Sequence, residues 1–475
     1  MKTPFPTRYC TLLIIASLAA PQASFALGVG QVQQAPAAIQ QQTPEPAGRL
    51  IQRIGEAPAG QSIPERTLEL PTTTPQLPGS TQLPALPRLP GSPETAGELL
   101  PQLPERVTIL NGDGTTVFND VRVEGGWRAV ERQWLVVLSA DEVGLLAHAG
   151  IKIIEQTPLA DLDLLVVRFE VAQELDSYDA MSRLLPSAVL ERLDRNHIYS
   201  PQSRSDSMID DDTGRSQPPA SRKDGCERPV TVGMIDTAID TSHPSLRNAD
   251  IVQKDFLPDM NQPVGHGTAV ASALVGRLPG RSRAQLSSAK LINASVFFGR
   301  EDLSSGASLM SLVEGLNWLV AQKVGVINIS MAGPDNRLLA LITQRVTDAG
   351  IPLVAAVGNQ GPAAPPLYPA AYAHVIGVTA VDGWREIYRW ANQGIQVEFA
   401  AHGVDVVLAA EHGGFSSQSG TSLATPIVTA RIACLLAGES TVSPGVAELV
   451  QQLAATAIDL GDVGRDAVFG HGLLK

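Results

Sequence analysis

Two kinds of hydrophobic pattern divide the chain. From Cys226 onward, short runs that are apolar at nearly every position alternate with helical patterns: 230–235 (VTVGMI), 290–296 (KLINASV), 324–330 (VGVINIS), 352–356 (PLVAA) and 375–380 (VIGVTA). These runs are rich in β-branched residues and flanked by Gly or Pro. They predict strands buried on both faces, so the fold class expected over 227–475 is α/β, a doubly wound and mostly parallel sheet with helices on each side. Upstream, 134–139 (WLVVLS), 151–157, 162–169 and 188–198 read as strands, and 140–149 and 176–185 as helices. The order β-α-β-β-α-β over 106–200 predicts a small α+β, ferredoxin-like module.

Elsewhere the patterns fail. Residues 27–105 are dominated by Pro, Gln and Ala (TPQLPGSTQLPALPRLPGSP), a composition that buries little apolar surface and reads as a disordered spacer. Residues 201–226, with Asp210-Asp211-Asp212 and Pro218-Pro219, read as an exposed linker. Residues 1–26 have the build of a cleaved leader. Lys2 and Arg8 precede the apolar run TLLIIASLAA, and Ser24-Phe25-Ala26 offers small residues where a signal peptidase cuts. That run is short for a permanent membrane anchor, so a secreted or periplasmic protein without a membrane span is expected.

Composition narrows the function. Of 475 residues, 44% are hydrophobic and 17% charged, and the net charge of −13 argues against a nucleic-acid partner, which needs a basic surface. The three cysteines are Cys10, Cys226 and Cys434, none in a CxxC pair, so no zinc or iron–sulfur centre is expected. Cys10 falls in the leader. Cys226 and Cys434 read equally as one disulfide and as two unrelated thiols.

Open α/β sheets place their sites at the carboxyl ends of the strands. Asp236 ends the first run (VTVGMIDTAID). Asn359 follows the fourth (LVAAVGNQGP). His266 opens an apolar segment (GHGTAVASALVG), and Ser422 lies where Gly420-Thr421 leads into a long helix with Pro426 expected in its first turn (SGTSLATPIVTA). A Ser at a helix start has its own N–H directed toward an anion held there. A carboxylate can fix the tautomer of a His, which then takes the Ser proton as the oxygen attacks a carbonyl carbon. The oxyanion that forms needs donors already in place, and the Ser422 N–H and the Asn359 amide supply two.

The segments DTAID–SHP, HGTAVA, AAVGN and GTSLATP resemble, in that order, the four motif blocks of the subtilisin-like serine proteases, and the order Asp, His, Ser is the one subtilisin uses. Residues 313–334 and the closing FGHGLL extend the resemblance from Val230 to the C-terminus. It implies a serine endopeptidase working through an acyl-enzyme with Asp236, His266 and Ser422 as catalytic residues and Asn359 at the oxyanion hole. It also implies that 106–200 is a self-cleaved inhibitory prodomain, with the cut near or after Tyr199-Ser200. Protein or peptide substrates, the prodomain as a partner and a monomer are expected. Substrate would lie extended along 330–333 (Ser330 to Gly333), with 355–358 (ending at Gly358) as part of the S1 wall and Leu367 where relatives often carry Gly at the S1 floor, giving a shallow pocket. The chain departs from the pattern in three places. Ala238 stands where the family usually has Gly, a change that bears on the turn aiming Asp236. Ser245 stands where a calcium-ligating Asp is common, and the loop 277–283 (RLPGRSR) offers cations. No cofactor and no clear calcium site are therefore expected. An inactive secreted scaffold of the same fold is the alternative. The absence of GxSxG around Ser422 and of HExxH disfavours a lipase-type esterase and a metalloprotease.

Overall fold

A computed structural model of the chain describes residues 103–149, 151–202, 204–205, 226–257, 259–280, 284–300, 304–438 and 445–475. All belong to one of the chain's two compact units, residues 91–475. The leader with Cys10, the spacer up to residue 102, and residues 203 and 206–225 of the linker lie outside the described residues, as does 281–283 of the basic loop.

The N-terminal module runs β1 (Arg106–Leu110), β2 (Thr116–Arg122), β3 (Arg128–Val137), α1 (Val143–His148), β4 (Lys152–Leu159), β5 (Leu164–Glu170), α2 (Tyr178–Leu184), α3 (Ser187–Leu190) and β6 (Leu193–Pro201), followed by β7 (Arg204–Ser205). The larger domain runs β8 (Val230–Asp236), β9 (Asp250–Asp255), α4 (Gly265–Val275), β10 (Ala289–Ser295), β11 (Phe298–Gly299), β12 (Ser305–Ser308), α5 (Leu309–Ala321), β13 (Val326–Ile329), β14 (Met331–Ala332), α6 (Arg337–Asp348), β15 (Leu353–Ala356), β16 (Val375–Val381), β17 (Phe399–His402), β18 (Val406–Ala409), β19 (Phe415–Ser419), α7 (Thr421–Leu436), α8 (Val446–Ala454) and β20 (Leu473–Leu474).

Eight strands form the central sheet in the order β20-β17-β16-β15-β13-β8-β10-β9. All its pairings are parallel. β13, β15 and β16 are buried at every position, which is why their sequences run apolar without alternation. Helices α4, α7 and α8 cover one face. Helices α5 and α6 cover the other. α4 and α7 are buried nearly all round, and their few polar residues include His266 and Ser422 near the N-terminal ends. Asn336 caps α6 by accepting from the N–H groups of Leu338 and Leu339.

In the N-terminal module β3, β4, β5 and β6 pair antiparallel in the order β4-β5-β3-β6, the ferredoxin-like arrangement expected. Three details differ from the sequence reading. The segment read as a strand over 188–198 begins as the short helix α3, which follows Pro186, and extends only from Leu193. The hairpin β1–β2 adds to the first half of β3. The strand continues past 200, so Pro201 and Gln202 are not exposed linker. Gln202 is 8% exposed, because β6 enters the larger domain as a strand. β6 lies antiparallel between β12 (Ser308↔Ile198, Ala307↔Tyr199) and β14 (Ala332↔Ser200, Met331↔Pro201). Leu135, Val137, Leu159, Val166 and Tyr199 share one apolar cluster with α5 and α6. The module is therefore seated through a shared apolar core.

Candidate active site

The parallel sheet brings the predicted residues together at its carboxyl edge. Asp236 is the last residue of β8 and is 1% exposed. His266 is the second residue of α4 and Ser422 the second of α7. Asp236 Oδ1 accepts from His266 Nδ1 at 2.7 Å and from the Thr237 N–H at 2.7 Å. His266 Nε2 lies 3.1 Å from Ser422 Oγ. With its Nδ1–H donating a hydrogen bond to the carboxylate, the ring leaves Nε2 as the acceptor for the serine hydroxyl. A Cβ on Gly267 would come within 2.5 Å of the Thr237 carbonyl, so this turn of α4 packs against the Asp236 turn only with glycine there. Ala238 fits that turn: it is not among the residues with positive φ.

The expected oxyanion region is built from α7 and the loop after β15. Asn359 Oδ1 accepts from the Thr421 N–H (3.1 Å) and from Thr421 Oγ1 (3.0 Å), which turns the amide so that Nδ2 faces away from Thr421. Nδ2 is buried, with no hydrogen-bond partner among the described residues. An orphaned buried donor is costly unless something else needs it. Beside it the Ser422 N–H donates to the carbonyl oxygen of Gln202 at 3.2 Å.

That bond gives the register of the strand in the cleft. The Gln202 N–H donates to the Ser330 carbonyl at 3.3 Å. The Gln202 side chain is held by two hydrogen bonds. Its Nε2 donates to the Ser200 carbonyl and its Oε1 accepts from the Asn359 N–H at 3.0 Å. Leu367 is fully buried, and its Cδ1 lies 2.5 Å from where a Cβ on Gly358 would be, so the leucine occupies the floor beneath Gly358. Gly333 meets Tyr199, three residues before Gln202. The ring lies within 2.4 Å of a Cβ built there, and the phenol donates to the Pro334 carbonyl. Beyond Gln202, β7 pairs with β19 (Ser419↔Arg204). The carbonyl over Ser422 is that of Gln202, two residues after Ser200.

Sequence reasoning missed one device. Pro426 is the sixth residue of α7, not part of its first turn. Its missing N–H therefore deprives a real acceptor, the Ser422 carbonyl. Ser330 Oγ donates to that carbonyl at 2.9 Å. Ser330 Oγ in turn accepts from Asn328 Nδ2 (2.8 Å), and Asn328 Oδ1 accepts from Thr429 Oγ1 (3.0 Å). Asn328, Ser330 and Thr429 are all buried. The available signal was Asn328 itself, an amide in an otherwise apolar strand, where a buried polar group demands partners.

A model of the Subtilase family matches residues 227–472. The minor extracellular protease Epr of Bacillus subtilis (strain 168) is 31% identical over 44% of this chain and 32% of its own length. Subtilisin DY of Bacillus licheniformis is 31% identical over 52% of this chain and 89% of its own. The chain thus spans about a third of the first relative and nearly all of the second. Among solved structures, fervidolysin from Fervidobacterium pennivorans, a keratinolytic enzyme related to subtilisin, shares the fold with a TM-score of 0.60. It is 19% identical, over 79% of this chain and 63% of its own, a share larger than residues 227–475 make up. Motif order, sheet topology and these matches agree, and the chain belongs to the subtilase family of serine endopeptidases.

Proposed function

We propose that this protein is a secreted or periplasmic endopeptidase made as a zymogen, whose first substrate is its own Gln202–Ser203 bond. The observation that carries the reading is the Gln202 carbonyl oxygen, which accepts from the Ser422 N–H while Ser422 Oγ lies beside His266 Nε2. Ser422 Oγ attacks the Gln202 carbonyl carbon and its proton passes to His266 Nε2. Asp236 holds Nδ1 and stabilises the imidazolium. The oxyanion is stabilised by the Ser422 N–H and by Asn359 Nδ2, a donor with no other partner among the described residues. Collapse expels the Ser203 amine, which takes the proton from His266. Water, deprotonated by the same ring, then releases the acyl group from Ser422 as the Gln202 carboxylate. After the cut, β6 remains paired to β12 and β14, so the module 106–202 acts as a product-like inhibitor until it is removed.

The test is intact mass of the chain expressed without its leader, wild type beside Ser422→Ala. The wild type is expected to split between 202 and 203 and the variant to stay whole. A chain that stays whole in both forms refutes self-processing and favours an inactive scaffold.

A further inference from the structure

A buried cation lies close to the strand that leads to Gln202. Arg300 follows β11, and its side chain is 2% exposed. Its Nε and Nη2 donate to Asp120 Oδ2 at 2.9 and 2.7 Å, and its Nη1 donates to Ser304 Oγ and the Ser305 carbonyl. Asp120 is fully buried and also accepts from Arg128 Nε at 2.6 Å. The pair joins two parts with different fates. Asp120 and Arg128 belong to the N-terminal module, and Arg300 to the catalytic domain. A buried ion pair can roughly balance its desolvation, but a buried charge that loses its partner is strongly unfavourable. When the module departs it takes Asp120 with it, leaving the guanidinium beside Phe298.

Arg300 also lies against the substrate strand. Counting Gln202 as the first residue before the cut, Ile198 is the fifth, paired with Ser308 on β12. A Cβ on Gly306 would sit 2.7 Å from Arg300 Nη2 and 2.8 Å from Ile198 Cγ2. The guanidinium and the fifth side chain therefore converge over one glycine, where any larger residue would separate them. Isoleucine makes only apolar contact there, and Asp120 reaches the cation from β2.

We propose that Arg300 is a carboxylate-binding subsite of the processed enzyme, filled by Asp120 in the precursor and by an acidic side chain five residues before the scissile bond in a substrate. The planar fork of Arg300 suits a carboxylate, and a glutamate in place of Ile198 has the length to reach it. The inference rests on the reading of Ser422 as nucleophile and Gln202 as the residue before the cut. Asp120 and an acidic substrate then compete for one cation, so the same residue strengthens inhibition and sets preference.

The enzyme processed from the full chain is assayed on three peptides, X-Tyr-Ser-Pro-Gln-Ser-Arg-Ser with X as Glu, Gln or Lys. A charge-assisted bond in a partly desolvated site should raise kcat/KM for Glu over Gln about tenfold, with Lys below Gln. In Arg300→Met the Glu-to-Gln ratio should fall to near one, and Arg300→Lys should keep part of it. If the Met variant does not fold, the wild-type series decides alone. Equal rates for the three peptides, or a Glu preference that survives in Arg300→Met, overturn the subsite and leave the protease reading intact. Failure to cleave any of the three by an enzyme that digests unfolded protein shows the register to be wrong, and the subsite falls with it. A chain that never processes overturns the underlying reading as well.

Discussion

The Ser330–Pro426 pair allows a quantitative test of how the nucleophile is held. In a regular helix the residue at 426 would donate to the Ser422 carbonyl. Proline cannot, and Ser330 Oγ supplies the bond instead at 2.9 Å. Ser330→Ala leaves two buried groups without that hydroxyl, the Ser422 carbonyl and Asn328 Nδ2. At about 1–3 kcal/mol for each unsatisfied buried group, the loss should be about 2–6 kcal/mol. Pro426→Ala restores a backbone N–H to the Ser422 carbonyl. In that background Ser330→Ala orphans only the Asn328 amide, so its cost should fall by about half, a coupling of roughly 1–3 kcal/mol. All four forms are made in the Ser422→Ala chain, which cannot digest itself and keeps the backbone carbonyl, and their stability is read from urea unfolding. A Ser330→Ala cost that is the same with proline and with alanine at 426 would refute the reasoning.

Other predictions follow from the same geometry. Asn359→Leu should lower kcat about 10²–10³-fold with little change in KM, as expected for a donor used only in the transition state. Steady-state kinetics of the processed enzyme check this, and a loss confined to KM would contradict it. Tyr199→Ala empties a fully buried site beside Gly333 and should cost about 3–5 kcal/mol of module binding, seen as slower self-processing in a pulse-chase. Leu367→Gly should open the S1 floor and shift cleavage toward large aromatic residues before the cut, and an unchanged peptide preference would remove Leu367 from the pocket. His197 is buried at the seam between module and domain, and burial pushes its pKa below the usual value. Its Nδ1 accepts from Asn336 Nδ2, which only the unprotonated ring can do. A histidine whose folded pKa is depressed gives stability that is present above its unfolded value of about 6.5 and lost as pH falls below it. Unfolding of the Ser422→Ala chain should therefore ease between pH ~7 and ~5, and His197→Gln should flatten that slope.

Much of this protein was legible in one dimension. Continuous apolar runs report strands buried on both faces, so the parallel sheet could be read from 230–235, 324–330 and 375–380 without knowing their order. The candidate catalytic residues were legible because each sits where its element ends: Asp236 closing a strand, His266 and Ser422 opening helices whose remaining residues are almost all apolar. β9, a largely exposed edge strand (DIVQKD), carries no such signal, and the hairpin β1–β2 is too polar to announce its packing on β3. What required the tertiary structure was every relation between distant segments. A local pattern fixes which face of a strand is apolar but not which strand becomes its neighbour. Thus the sequence predicted a strand ending near 198, whereas insertion between β12 and β14 carried it to Pro201 and set the carbonyl of the next residue, Gln202, over Ser422. In the same way Pro426 read as harmless until its place in α7 showed an unmatched carbonyl, and Asp120 and Arg300, 180 residues apart, became one buried ion pair only once the two domains met. Element identity follows from short-range periodicity, while pairing, register and charge compensation depend on which segments the packed core brings together.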